Sequence, residues 1–323
     1  MIGLREALEA RQVAIYFAAI LVAVVASFAL PTTGLAAAID PALAFMLFVT
    51  FLQVPLADLR QALLQVRFFA ALAGANFVAV PVLVFGLVQF LPADPMLRLG
   101  VLLVLLAPCI DYVVTFAQIG RADAPLLLAS TPALLVLQML LLPVYLDLFL
   151  GDDAARLVQV GPFLHAFVWL IAIPLALAAV VQFGAARSTA VGWVRESLSV
   201  MPVPATALVL FLVFAAVVPQ LGLAIDGALR VVPIYVAYAI AAPVVGWFVG
   251  RLVGLDAPGA RATAFSSATR NSLVVLPLAF AVPGAVPLLP AVIVAQTVVE
   301  LVASLAYMRI IPRMGRAEAA TAA

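Results

Sequence analysis

Residues 97–119 read LRLGVLLVLLAPCIDYVVTFAQI, and residues 266–277 read SSATRNSLVVLP. Each belongs to an apolar run of the kind that fills a bilayer, and each is broken in its middle. In the first, Pro108, Cys109 and Asp111 put a helix breaker, a thiol and a carboxylate side by side; the proline removes a backbone donor and crowds the turn before it. In the second, Ser266, Ser267, Thr269, Arg270, Asn271 and Ser272 make six polar residues in seven, with Pro277 just beyond. Lipid offers no hydrogen bonds, so non-helical backbone at membrane depth is tolerated only where it is packed in protein or lines a wet cavity. Two such stretches predict two interrupted helices that meet inside the molecule.

The rest of the chain supplies the setting. Its 323 residues are 67% hydrophobic and 10% charged, with a mean hydropathy of +1.28, far from the roughly 45–50% apolar and 25% charged make-up of soluble domains. Ten apolar segments bounded by charge, Pro and Gly fall near Val13–Leu30, Pro41–Leu56, Phe68–Leu91, Leu97–Ile119, Pro125–Leu150, Leu157–Phe183, Pro202–Leu223, Val231–Val253, Ala262–Val282 and Pro287–Ile311. A spanning helix takes about 20 residues, so the spans leave no room for a soluble domain. These long unbroken runs lack the alternation of barrel strands. The expected fold is therefore an all-α membrane protein of ten transmembrane helices, a single transporter-like domain over residues 1–323, with the broken segments as its fourth and ninth helices.

Arginine sets the orientation. Arg5, Arg11, Arg60, Arg67, Arg121, Arg187, Arg195, Arg251, Arg261, Arg309, Arg313 and Arg316 fall on the side shared by both termini, against Arg98, Arg156 and Arg230 on the other. Positive residues favour the cytoplasmic side, which puts both ends in the cytoplasm of a cell (inner) membrane protein. A cleaved signal peptide ending near Ala36-Ala37-Ala38 is the competing account, and it would spoil this asymmetry. The longest cytoplasmic loop, 184–201, separates the sixth and seventh spans, so residues 1–183 hold the first five-span half plus the first span of the second. Two halves of five spans, about 13–150 and 157–311, must enter the membrane from opposite faces. That is the plan of inverted repeats, in which broken helices at matching positions point to the binding site.

Charge inside the membrane narrows the candidates further. Asp111 and Arg270 each cost about 2.5–3.5 kcal/mol at a helix centre, so neither should face lipid. They are expected to lie together where the broken helices cross, leaving Thr269, Asn271, Ser272 and the freed carbonyls to face a substrate; a purely structural ion pair is the alternative. Cys109 beside them is a small hydrophobe or a soft ligand for thiophilic centres such as trivalent arsenic and antimony. Gln296 and Glu300 share a helix face at i, i+4, with Ser304 one turn on, and the acid is a candidate proton carrier or cation ligand. Asp111, Gln296 and Glu300 are thus the candidates for ion coupling. Gln53, Asn76 and Gln138 could line a cavity, although hydrogen bonding between helices is their commoner use.

At Ala107-Pro108-Cys109, Ile119-Gly120-Arg121-Ala122-Asp123 and Arg270-Asn271-Ser272 the chain resembles the arsenical-resistance permeases of the bile acid/sodium symporter superfamily, essentially end to end. The resemblance implies a panel and a core domain, broken fourth and ninth helices, and export of arsenite or antimonite by alternating access. It implies substrate roles for Cys109 and Asn271, and likens Gln296 and Glu300 to a Gln and an acid of the last span. The chain departs from those permeases in having Asp111 in the fourth span and Ser272-Leu273 where they carry a ninth-span Glu.

The expected function is a secondary-active transporter. Arsenite or antimonite efflux coupled to a cation gradient, an antiport, is the leading reading, and a sodium-coupled symporter of organic anions, with Arg270 as counter-ion, is the other. Partners are the small solute (an arsenite-like species or an organic anion), a coupling proton or sodium ion, and the lipid bilayer. Sixteen Arg against fifteen acids give no basic surface for nucleic acid. No cofactor or resident metal is expected: one cysteine excludes a Cys-based zinc site or iron–sulfur cluster, and a chain without Lys has no phosphate-binding Gly-x-x-x-x-Gly-Lys motif. An intramembrane enzyme is disfavoured, because His165 is the one histidine and lies far in sequence from Cys109.

Overall fold

A computed structural model describes residues 2–53, 65–109, 112–151, 161, 164–165 and 167–315. Regular structure among the described residues is helical throughout. Helix α1 spans Ile2–Ala29 and α2 spans Ile39–Phe51; α3 (Val66–Gly74) runs through a π turn into α4 (Val80–Val88). Then come α5 (Pro95–Leu105), α6 (Val113–Ile119), α7 (Ala124–Leu150), α8 (Ile173–Ala185), α9 (Thr189–Leu198), α10 (Pro202–Val217) and α11 (Ile225–Leu252). The last three are α12 (Ala257–Ala268), α13 (Ser272–Ala281) and α14 (Leu288–Ile310).

Among the described residues, eight stretches are long and apolar enough to cross a membrane: Gly3–Ala29, Thr33–Phe51, Val66–Val88, Ala124–Leu150, Val168–Ala185, Pro202–Gln220, Ile225–Leu252 and Leu288–Arg313. The two remaining apolar segments are split, into α5 and α6 and into α12 and α13. Three helices that shape the site start on the same device. Asp94, Asp123 and Asp256 cap α5, α7 and α12, their carboxylates accepting the amides of Met96 and Leu97, of Leu126, and of Gly259. Each is followed within two residues by a proline, which gives up no hydrogen bond in a first turn.

Two stretches differ from the sequence expectation. Helix α1 begins at Ile2, well before Val13, because Arg5 and Glu9 pair at 2.7 Å across one turn and carry the helix past the apolar run. The 184–201 segment, expected as a loop, contains α9: Val191 and Leu198 turn inward while Trp193, Val194, Arg195 and Glu196 stay exposed. Its charges are compatible with a helix because they occupy one face.

The helices pack in two groups. Helix α10 lies against α1 and α2, and α2 against α8; separately, α11 packs on α12, α14 and α4, and α14 on α5 and α13. The α11–α12 contact is the most extensive between elements, and it depends on a glycine. A Cβ at Gly246 would sit 2.6 Å from Ser267 Oγ and 2.7 Å from Thr263 O, so only a bare backbone lets α12 come this close, the small-residue packing familiar from membrane helices. Gly120 does the same for the turn after α6, where a Cβ would lie 2.2 Å from the Phe265 ring. That turn is tied to the start of α12 by Asp123 N–H donating to Pro258 O at 3.0 Å and by Arg261 donating to Arg121 O at 3.2 Å.

Candidate functional site

The split in each segment puts backbone out of helical register in the protein interior, and the two splits satisfy each other. Pro108 and Arg270 form an antiparallel bridge. The Cys109 N–H donates to Thr269 O at 3.1 Å and the Asn271 N–H to Ala107 O at 2.7 Å. Backbone groups that lipid could not serve are paired across the breaks, as a membrane interior requires.

Arg270 is fully buried. Its Nη2 donates to Asn76 Oδ1 at 2.8 Å, Ser266 O at 2.7 Å and Ser267 O at 2.8 Å, and its Nη1 to Leu105 O at 3.3 Å. The Tyr238 ring lies 5.6 Å from the guanidinium carbon. Ser266 and Ser267 belong to the last turn of α12 and Leu105 to the last turn of α5, where helices leave carbonyls without partners and carry partial negative charge. Asp111, the expected partner of Arg270, lies outside the described residues; among the described residues no carboxylate is within ion-pairing distance of the guanidinium.

Glu300, also buried, collects the opposite charge. Its Oε1 accepts from Tyr112 OH at 2.6 Å; its Oε2 accepts from the backbone N–H of Arg270 at 2.6 Å and from Gln296 Nε2 at 2.6 Å. One carboxylate therefore joins α14, the entrance of α6 and the break before α13. Gln296 and Glu300 share a helix face as the spacing implied, and Gln296 Oε1 and Tyr235 OH, without partners among the described residues, border a small closed cavity beside Glu300.

The other candidates are buried in the same knot. Thr269 Oγ1 donates to Phe265 O at 2.9 Å, Ser272 Oγ accepts from Thr297 Oγ1 at 2.9 Å, and Asn271 Nδ2 reaches Gln138 Oε1 at 3.5 Å. Cys109 is 1% exposed. In this conformation the side chains of Thr269, Asn271 and Ser272 meet Phe265 O, Gln138 and Thr297, while the freed carbonyls of Leu105, Ser266 and Ser267 meet Arg270.

The open space lies beside the knot. A narrow cleft of about 60 Å³ runs between α1, α2 and α10 on one side and α6 and α7 on the other, lined by Gln12, Tyr16, Thr50, Tyr112, Thr115 and Thr206, and by the Arg5–Glu9 pair. Gln53 also lines it. A wider polar opening shares Arg5, Glu9 and Ser199 with it and reaches Arg195 and Glu196 of α9. Tyr112 belongs to both places, since it is among the residues that line the cleft and its hydroxyl donates to Glu300. Sequence reading missed Tyr112 and the cleft hydroxyls, and it gave Asn76 no link to Arg270. A tyrosine directly after the Pro-Cys-Ile-Asp break was the available signal.

This architecture defines a multi-pass helical membrane protein whose two interrupted segments are paired in the protein interior. The model of the Sodium Bile acid symporter family matches residues 40–225, more than half of the chain. The chain belongs to that family, whose members are transporters. No curated protein matches it.

Proposed function

We propose that the chain is a secondary-active carrier that moves a small organic anion by alternating access, driven by sodium. In this reading ten spans form two inverted repeats, about 13–150 and 157–311. Helices α1, α2, α8 and α10 serve as the panel and the others as the core. Both termini lie on the cytoplasmic side of the cell membrane, toward which the cleft opens.

The observation that carries the reading is the double position of Tyr112, which borders the cleft and donates to Glu300. A solute that engages Tyr112 changes the donors on Glu300, and Glu300 holds the Arg270 amide at the paired breaks. Such a contact differs between states, and a ligand shifts a conformational equilibrium only through such a difference. Glu300 and Gln296, with Asp111, are the coupling residues; Cys109, Thr269, Arg270, Asn271 and Ser272 join the substrate path as the breaks separate. The neutral hydroxyls and amides of the cleft suit hydrogen bonding to a carboxylate or sulfonate.

Export of arsenite or antimonite is the second reading, favoured by the seat of Cys109 at the break itself. The two are separated in reconstituted vesicles. Accumulation of labelled carboxylates or sulfonates under an inward sodium gradient supports the first. Arsenite accumulation in everted vesicles, lost in Cys109→Ala, supports the second. No gradient-driven flux of either removes the carrier reading.

A further inference from the structure

We infer that the guanidinium of Arg270 is a tethered cation that fills an oxygen cage built to hold a monovalent metal ion, so that the protein carries one cation of its own where a free sodium ion would bind. Three oxygens, Asn76 Oδ1, Ser266 O and Ser267 O, converge on the single nitrogen Nη2 at 2.7–2.8 Å, and Leu105 O lies 3.3 Å from the neighbouring Nη1. Three of the four are backbone carbonyls from the C-terminal ends of α5 and α12. Half-helix C-termini and unwound carbonyls inside a membrane are the donor set that coordinates sodium in secondary transporters. The cage does not follow the fork of a guanidinium, which would spread its acceptors: Nη1 has one distant acceptor and Nε has none among the described residues. Three of the oxygens share one nitrogen that has only two hydrogens, a crowding that a spherical ion accepts more readily than an N–H donor does. The hydroxyl of Tyr238 and the amide of Asn76 fix the cage from outside, donating to Ser267 O at 2.6 Å and to Ser266 Oγ at 2.9 Å.

The inference deepens the reading of a sodium-driven carrier: while the breaks are paired, this cage is loaded by the protein's own cation, and any sodium that couples transport binds elsewhere. Its test measures cation binding, so it stands or falls separately from transport. Purified wild type, Arg270→Ala and Arg270→Lys are compared by thermal unfolding in sodium, potassium or choline chloride, and with guanidinium chloride at millimolar concentration. The expected result is an Arg270→Ala protein that is destabilised in choline and regains several degrees, saturably, with sodium or guanidinium, beyond any shift that the coupling sodium gives wild type and Arg270→Lys. An Arg270→Ala protein with no greater response to either ion than wild type overturns the inference. So does a chain that cannot be recovered folded in the presence of either ion while Arg270→Lys can, because a true cation cage accepts the free ion. Loss of transport in wild-type vesicles would overturn the carrier reading and leave this result untouched.

Discussion

The amide of Arg270 donates to Glu300 Oε2 at 2.6 Å while the guanidinium of the same residue turns away, into the carbonyls of Leu105, Ser266 and Ser267. The two charges are thus linked through backbone and not through an ion pair. Each lies where the interrupted helices offer the complementary partial charge, the cation at the C-terminal ends of α5 and α12 and the anion at the entrance of α13. Each such placement contributes about 0.3–2 kcal/mol, with the larger values for buried geometry.

Glu300→Gln keeps the volume and loses the anion. Its amide NH2 turns toward the Tyr112 hydroxyl, which must then accept instead of donate, and the bonds from the Arg270 N–H and Gln296 lose their charge assistance. A destabilisation of about 1–3 kcal/mol follows. Gradient-driven uptake falls about tenfold or more, which corresponds to about 1.4 kcal/mol or more in the barrier. Thermal unfolding and vesicle uptake measure the two effects; wild-type values for both would show that the carboxylate does not hold the breaks.

Asn76 accepts from Arg270 through Oδ1 and donates to Leu72 O and Ser266 Oγ through Nδ2. Replacing it with Leu strips the cage of one oxygen and should cost about 1–3 kcal/mol. Asn76→Asp keeps the acceptor and adds a charge to meet the guanidinium, so it should be less damaging than Leu. Unfolding temperatures in the reverse order would contradict this role.

Gly246→Val forces α12 away from α11, because its Cβ alone would meet Ser267 Oγ at 2.6 Å. Overpacking of this sort costs about 1–3 kcal/mol, and it displaces Ser267, whose carbonyl holds Arg270. Gly86→Ala, where a Cβ meets nothing within 4 Å, is the matched control and should unfold at the wild-type temperature. Equal melting of the two variants would mean that the α11–α12 approach is not limiting.

Cys109→Ala keeps the backbone amide that pairs the breaks, so the variant should fold, at a cost of about 1 kcal/mol for the buried atoms removed. The thiol is 1% exposed, and a small membrane-permeant maleimide should label it slowly in the resting protein and much faster when turnover separates the breaks. Fast labelling at rest would mean that the pairing opens without a solute.

How the sequence carried this information differs from residue to residue. The breaks were legible because lipid punishes polar groups, so Pro108 and the run from Ser266 to Ser272 stand out against Leu and Val. The apolar segments were equally plain, although α1 outran its segment through the Arg5–Glu9 pair and α9 hid within a charged linker. The carbonyls around Arg270 were not legible: an inventory of side chains directs attention to a carboxylate such as Asp111, which lies outside the described residues, whereas the acceptors among the described residues are largely carbonyls that exist as acceptors only once two helices end beside the guanidinium. Tyr112 was silent, and Asn76 was legible only as a residue apt to bond between helices, for a related reason. One polar residue in an apolar run reads the same whether it bonds its own helix or another, and Asn76 does both.

Tyr112→Phe in proteoliposomes tests most directly whether the cleft is coupled to the knot. The ring is kept and only the hydroxyl that donates to Glu300 is lost. Exchange of a transported solute across the membrane should persist, while sodium-driven accumulation against its gradient collapses. Accumulation at the wild-type level would contradict the account, because coupling would then pass from cleft to breaks without the Tyr112–Glu300 bond.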